Sequence, residues 1–128
     1  MRSIQNETIH FDAVRRIALT LPGVEEGTSY GTPAFRVKGK LFLRLHDDGE
    51  TLVARVDPDE RAMLLAASPT SLYLTDHYVN YPWVLVRLPV VTLDDLRERI
   101  HDAWRQCAPA KLVADYDARQ TEAETGSR

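Results

Sequence analysis

The period of the hydrophobic pattern changes twice along this chain, and these changes restrict the fold more than any other feature. Apolar residues recur at helical spacing from Phe11 to Leu21, at every second position between Glu26 and Val56, and at helical spacing again from Leu93 to Cys107. Alternation is typical of strands in an antiparallel sheet with one buried face. The pattern therefore predicts a sheet that helices precede and follow in the sequence.

The first helix is predicted from Ile9 to Leu21. Thr8 or His10 is its expected N-cap, since both lie directly before the apolar stripe. Pro22 ends the helix, because proline disfavours helical geometry in the residue before it. Two further helices follow from similar signals. One begins at Asp57-Pro58-Asp59 and ends at Ser68-Pro69; the other is capped by Thr92 with Asp95, ends at Pro109 and precedes a short helical piece from Lys111 to Tyr116.

The strands are predicted to form a meander. Turns at Lys38-Gly39-Lys40 and Asp47-Asp48-Gly49-Glu50 separate alternating segments, which indicates consecutive antiparallel pairing. The predicted strands are Thr28 to Tyr30, Phe35 to Val37, Leu41 to Leu45, Leu52 to Val56, a short one at Leu72 to Leu74, and Trp83 to Leu88. We therefore predict an α+β, two-layer sandwich in which an antiparallel meander sheet carries its helices on one face.

A chain of 128 residues has the size of a single domain. We expect residues 9–116 to form that domain, residues 1–8 to be an N-terminal extension and residues 117–128 to be a flexible tail. No apolar segment has the length of a signal peptide core or a membrane span, so a cytoplasmic protein without a membrane partner is expected. The single cysteine, Cys107, cannot form an intramolecular disulfide and is expected in a helix near the core.

Two segments resemble the signature of the MmcQ/YjbR family. They are Leu21 to Glu26 (LPGVEE) and Gly31 to Phe42 (GTPAFRVKGKLF), and the aromatic approach to Trp83-Val84 and the run from Ala108 to Lys111 are also similar. The resemblance covers about residues 9 to 116. It implies a bacterial protein with frataxin-like topology and a double-wing arrangement of hairpins, and a function in DNA binding.

Strand alternation predicts a basic surface on the open face of the sheet. The residues expected to face the helices are Leu41, Leu43, Leu45, Leu52, Ala54, Val56, Val84, Val86 and Leu88. The opposite face is then expected to carry Arg36, Lys38, Arg44, Arg55 and Arg87, with Phe42, Val53 and Leu85 between them. Such a face also occurs as ordinary solvated surface, because long polar side chains cover any sheet face that no helix covers.

The basic surface leads to the first functional hypothesis, which is contact with DNA or another anionic partner. The candidate nucleic-acid-binding residues are Arg36, Lys38, Lys40, Arg44, Arg55 and Arg87. Binding of short duplex DNA is then expected to weaken steeply with salt. Reversal of Arg44 and Arg55 to glutamate is expected to abolish binding. Because both arginines are expected to be exposed, the change should cost only about half a kcal/mol of stability.

The second hypothesis is a small-molecule site beside the aromatic segment before Trp83. Its candidate ligand-binding residues are Tyr30, His77, Tyr78, Asn80, Tyr81 and Trp83, because aromatic rings with a few polar groups commonly line ligand pockets. The structural alternative is that Tyr81 and Trp83 only cap the end of the core.

No catalytic constellation is found in the sequence. His10, His46, His77 and His101 are scattered, and no acid or thiol is placed to orient them. Converging metal ligands and a glycine-rich phosphate loop between a strand and a helix are not found either, so no enzyme activity, metal or cofactor is expected.

Overall fold

The structure is a computed structural model that describes residues 10–126. The helices are α1 (Phe11–Leu19), α2 (Pro58–Ala67), α3 (Leu93–Cys107) and α4 (Ala110–Gly126). The strands are β1 (Val24–Ser29), β2 (Thr32–Val37), β3 (Lys40–Leu45), β4 (Thr51–Arg55), β5 (Leu72–Tyr73) and β6 (Trp83–Arg87). The predicted elements are thus present, with β1 beginning at Val24 rather than at Thr28.

The sheet is fully antiparallel, and its strands lie in the order β1-β2-β3-β4-β6-β5. The first four strands form the predicted meander, and β6 then pairs with β4 while β5 lies at the edge. Helix α3 packs across β3 and β4, and α1 packs against α3 and β1. One face of the sheet is therefore covered by helices, and the predicted α+β two-layer fold is confirmed.

Local capping explains where two of the helices begin. The Asp57 side chain accepts a hydrogen bond from the backbone N–H of Asp59 at 2.9 Å, and Thr92 Oγ1 accepts one from the N–H of Asp95 at 3.1 Å. Each bond satisfies an N–H that has no partner inside its own helix. His10 occupies the N-cap of α1 without a side-chain bond, and Thr8 lies outside the described residues.

The core lies between the sheet and helices α1 and α3, and Trp104 is its largest fully buried side chain. The indole Nε1 of Trp104 donates to the carbonyl oxygen of Pro22 at 3.0 Å, which ties α3 to the segment between α1 and β1. Cys107 is buried as expected and donates to the carbonyl oxygen of Leu41 at 3.7 Å. Burial raises the pKa of the Cys107 thiol, which is typical of a structural cysteine.

The C-terminal helix is longer than the sequence predicts. The expected piece ended at Tyr116, whereas α4 continues to Gly126; residues 127–128 and the proposed extension 1–8 lie outside the described residues. Tyr116 packs edge-on against Trp104, and an Arg105–Asp117 ion pair at 2.9 Å also joins α3 to α4. Among the described residues, no helix combines the length and apolar character that a membrane crossing requires.

A β-bulge in β3 changes which side chains face the helices. Phe35 pairs with Leu43 and Arg36 pairs with Leu41, so Phe42 is an extra residue without a partner on β2. Phe42 is 0% exposed within the helix-facing core, whereas Leu41 lies on the opposite face. The predictions for Leu41 and Phe42 were therefore wrong, because the inserted residue shifts the alternation by one position.

Candidate functional site

Four of the predicted arginines lie on the sheet face that α1 and α3 leave uncovered. In antiparallel pairs, directly opposite residues share a face. Arg44 pairs with Val53, Arg55 with Trp83 and Arg87 with Thr51, while Arg36 pairs with Leu41. Val53 and Leu85 also lie on this face, as predicted, since they pair with each other.

The two candidate lysines do not join this face. Lys38 has a φ of 50° and lies in the turn between β2 and β3, and Lys40 pairs with Val37, which faces the core. Both lysine side chains are exposed at the tip of this hairpin. The prediction that Lys38 belongs to the arginine face was therefore wrong, because the turn interrupts the strand alternation at that residue.

Aromatic rings pack against three of the arginines. The guanidinium carbon lies 5.7 Å from the ring centre of Tyr30 for Arg44, 5.4 Å from Trp83 for Arg55, and 4.0 Å from Tyr73 for Arg87. These are cation–π distances. The face is therefore a layer of alternating arginines and aromatic rings rather than an array of free charges.

Among the four arginines of this face, Arg44 forms the most hydrogen bonds with the protein. Its Nη2 donates to the Tyr78 hydroxyl at 2.9 Å, and its Nη1 donates to Thr32 Oγ1 at 3.3 Å and to the Leu45 carbonyl at 3.4 Å. An Asp47 carboxylate oxygen lies 3.8 Å away, and the Arg44 side chain is only 12% exposed. The assumption that Arg44 is a surface position was therefore wrong.

The other arginines are partly engaged as well. Arg36 donates to the carbonyl oxygen of Thr28 and Arg87 donates to that of Thr70, each at 3.2 Å. Arg55 differs, because its Nε is buried and has no hydrogen-bond partner within the described part of the chain. Backbone carbonyls and aromatic rings thus already contact many of the arginine groups that the sequence predicted to be free for a ligand.

An open cleft of about 680 Å³ lies on the same face. We call it the cleft, and it is lined by Tyr30, Leu41, Arg44, Asp47, Val53, His77, Tyr78, Tyr81 and Trp83. The cleft joins the two sites that the sequence suggested separately, since it contains Arg44 together with five of the six aromatic-site residues. Asn80 is exposed and does not line it, nor do the remaining basic candidates.

Tyr30 lies at the rim of the cleft in a strained backbone conformation. The prediction that Tyr30 is a strand residue was wrong, because it lies in the two-residue turn between β1 and β2, with φ values of 54° for Tyr30 and 83° for Gly31. A side chain in the left-handed region costs roughly 1–2 kcal/mol. The Tyr30 side chain is 91% exposed, so burial does not offset this cost. Strain of this kind is common at ligand sites.

Arg61 supports the opposite wall of the cleft and was missed in the sequence. Its Nη1 donates to the carbonyl oxygens of Tyr81 at 2.6 Å and Trp83 at 3.0 Å, and its Nη2 donates to that of Val79 at 2.7 Å. In the sequence Arg61 is one polar residue in the first turns of a short helix. No local pattern indicates that its partners lie in a segment about twenty residues later.

The histidines lie on separate elements of the fold. His77 lines the cleft and packs edge-on against Tyr78, whereas the His46 Nδ1 lies 3.9 Å from an Asp48 carboxylate at the β3–β4 turn. His101 lies in α3, and burial together with Arg105 and Arg97 lowers its pKa. Within residues 10–126, no three or more potential metal ligands converge.

The chain is similar to several known proteins. Uncharacterized protein Mb2600 of Mycobacterium bovis and Uncharacterized protein Rv2570 of Mycobacterium tuberculosis are each 39% identical to it over 69 residues, which is 53% of this chain and 54% of each relative. The chain thus matches these relatives over about half of their length.

A solved structure gives a similar result for the fold. The crystal structure of Deinococcus radiodurans protein DR2400, with a domain of family DUF419, matches with a TM-score of 0.64 at 24% identity, over 76% of this chain and 77% of that one.

A sequence model of the YjbR family matches residues 19–106, from the end of α1 to the last turn of α3. Because this match extends over more than half of the chain, the protein belongs to the YjbR family.

Proposed function

We propose that this chain is a binding protein whose ligand occupies the cleft and combines a flat ring with a negatively charged group. One observation carries the proposal: Arg44 lies in the lining of an open cleft whose other walls are mainly aromatic. Clefts of several hundred Å³ with aromatic walls and a few polar groups are typical of small-ligand sites.

The aromatic walls favour a flat ligand. Tyr30 and Tyr81 are 91% and 58% exposed, although large aromatic side chains are usually buried for most of their area. A ring placed against them gains stacking contacts and removes apolar surface from water. Leu41 and Val53 add aliphatic contact at the same site.

The charge in the cleft favours an anion on that ring. A guanidinium carries more N–H donors than the three protein acceptors that Arg44 contacts, so it retains capacity for a carboxylate or phosphate oxygen. Asp47 is the acidic residue in the lining, and its side chain is 77% exposed. Its charge opposes a polyanion more than a ligand with a single charge placed against Arg44.

Naphthyl phosphate tests the proposal, since it joins a flat ring to one anionic group. We expect it to shift the indole N–H signal of Trp83, which lines the cleft, in a saturable NMR titration. Trp104 is an internal control, because its indole is fully buried and bonded to Pro22.

Naphthol and inorganic phosphate supply the ring and the anion separately, and each is expected to bind more weakly than naphthyl phosphate. The proposal is contradicted if naphthyl phosphate leaves the Trp83 signal unmoved. It is also contradicted if naphthol binds as tightly as naphthyl phosphate, since Arg44 then has no role in recognition.

A second candidate function is contact with DNA phosphates. The observation in its favour is the exposed pair Lys38 and Lys40 at the β2–β3 hairpin, which projects positive charge outside the cleft. Exposed Tyr30 and Tyr81 also suit the stacking of unpaired bases. A net charge of −3 and the arginine contacts described above weigh against a broad duplex-binding face.

The DNA candidate predicts a specific effect of Lys40→Glu. We expect short duplex DNA to bind in fluorescence anisotropy at low salt. The logarithm of its affinity is expected to fall with the logarithm of the salt concentration, with a slope of about −0.9 for each phosphate contact. Lys40→Glu is expected to reduce both the affinity and this slope. Arg119→Glu is the control, because Arg119 is exposed on α4, two turns beyond Lys111, and the charge change is identical. Equal losses in the two variants would indicate only a net-charge effect.

A further inference from the structure

Arg61 bonds to the backbone of the segment that forms one wall of the cleft. Besides the three carbonyl contacts already described, its Nη1 lies 3.5 Å from the carbonyl oxygen of Tyr78. The guanidinium therefore faces four carbonyl groups between Tyr78 and Trp83. Arg61 itself is not part of the cleft lining.

The segment from Tyr78 to Trp83 has two distinct sides. Tyr78, Tyr81 and Trp83 direct their carbonyl oxygens to Arg61, and the same three residues line the cleft. The Arg61 contacts thus help to place the backbone that carries these rings. The sheet contributes one bond to this segment, from the Val56 N–H to the Pro82 carbonyl at 3.0 Å. Arg61 bonds to the carbonyls of Tyr81 and Trp83, on either side of Pro82 in the chain.

Helix α2 gives no local reason for a cation at position 61. Arg61 lies near the N-terminus of α2, where the helix dipole disfavours positive charge. Asp57, Asp59 and Glu60 around it suit this helix end, whereas Arg61 does not. The contacts with the segment from Tyr78 to Trp83 therefore account for this residue better than helix formation does.

A second contact connects Arg61 to the charged residue of the cleft. The Tyr78 carbonyl faces Arg61, and the Tyr78 hydroxyl accepts the hydrogen bond from Arg44 Nη2 at 2.9 Å. Displacement of Tyr78 thus removes a partner that fixes the Arg44 side chain. Arg61 consequently affects both the ring walls and the orientation of the guanidinium in the cleft.

We infer that Arg61 is a positioning residue for the cleft, which holds the rings of Tyr78, Tyr81 and Trp83 in their binding arrangement without contacting the ligand. This inference rests on the proposed function of the cleft. A guanidinium presents a planar fork of donors, whereas a lysine ammonium is a compact point charge that cannot reach these carbonyls in the same way. The shape of the side chain therefore matters as well as its charge.

Arg61→Ala is expected to weaken naphthyl phosphate binding about tenfold, since apparent affinity falls with the fraction of molecules whose site is competent to bind. Arg61→Lys is expected to lose a similar amount despite retaining the charge. Methylguanidinium added to Arg61→Ala is expected to restore part of the affinity, because it supplies the missing donors. Arg97→Ala is the control, since Arg97 is half exposed on α3, bonds to Asp94 and does not line the cleft.

Hydrogen exchange gives a readout that does not depend on the ligand. The amide N–H groups of Tyr78, Val79 and Tyr81 each bond to the carbonyl three residues earlier. We expect them to exchange at least about tenfold faster in Arg61→Ala than in the parent. The N–H groups of β3 and β4 are expected to keep their protection.

The outcomes separate this inference from the proposed function. If the parent does not bind naphthyl phosphate but exchange in the segment accelerates, the proposed ligand class fails and the positioning role survives. If Arg61→Ala keeps both its affinity and its protection, the inference is overturned. If Arg61→Ala does not fold, Arg61→Lys provides the same two measurements, and normal affinity in that variant overturns the inference as well.

Discussion

Arg44→Gln is expected to weaken the binding of naphthyl phosphate to the cleft by about ten- to a hundredfold. A charge-assisted hydrogen bond contributes about 1.5–3 kcal/mol, and about 1.4 kcal/mol corresponds to a factor of ten in affinity. The measurement is the same Trp83 NMR titration. Arg44→Lys is expected to lie between the parent and Arg44→Gln, because it keeps the charge but loses the planar fork.

Arg87→Gln is the matched control for Arg44→Gln. Arg87 lies on the same sheet face and packs on an aromatic ring, but it does not line the cleft. We expect the Arg87→Gln variant to bind naphthyl phosphate about as tightly as the parent. If both variants lost the same affinity, the positive charge of the whole face, rather than the cleft, would account for binding.

The burial of Arg44 also changes the expected effect on stability. Arg44→Gln removes the donor to Tyr78 and Thr32, and an unsatisfied buried polar group costs about 1–3 kcal/mol. The double reversal of Arg44 and Arg55 to glutamate is therefore a poor test of DNA binding, since it also destabilises the fold. Single neutral substitutions, checked by thermal melts, separate the two effects.

Phe42→Ala is expected to lower the free energy of unfolding by about 3–5 kcal/mol, which is the usual range for a fully buried phenylalanine. Phe42 is 0% exposed in the core, because the bulge turns it toward the helices. Leu41→Ala is the matched control, since the neighbouring side chain lies on the cleft face and is only half-buried. We expect it to cost about 1 kcal/mol.

Urea denaturation of the two variants tests the bulge directly. Regular alternation through β3 would place Leu41 in the core and Phe42 on the open face, and the order of the two losses would then be reversed. Leu41→Ala is also expected to reduce naphthyl phosphate binding slightly, whereas Phe42→Ala is expected to affect binding only through stability.

The bulge in β3 explains why the hydrophobic pattern did not predict the faces of Leu41 and Phe42. Leu41, Phe42 and Leu43 are all apolar, so the pattern of this strand fits either register and does not mark the extra residue. Strands β4 and β6 also contain apolar runs, but each ends in an arginine that indicates which positions face outward, and the faces of these two strands were predicted correctly. The fold class, the meander and the helix caps at Asp57 and Thr92 could be predicted because their signals are local.

The site could be predicted only in parts. The sequence identified Arg44 and the aromatic residues, but it treated them as two sites, because a turn at Tyr30 and a segment near Tyr81 meet only in the tertiary structure. Periodicity also cannot tell whether a neighbouring segment covers an open sheet face. That is why the burial of Arg44 and the contacts of Arg61 were not foreseen.

The turn at Tyr30 combines backbone strain, which lowers stability, with an exposed ring that the proposed ligand site uses. Asparagine and glycine adopt positive φ more readily than tyrosine, so a variant with either residue at this position relieves the strain and tightens the β1–β2 hairpin. The same change removes an exposed ring from the rim of the cleft. On the proposed function of the cleft, selection for thermostability alone would therefore favour replacement of Tyr30 and weaken ring binding.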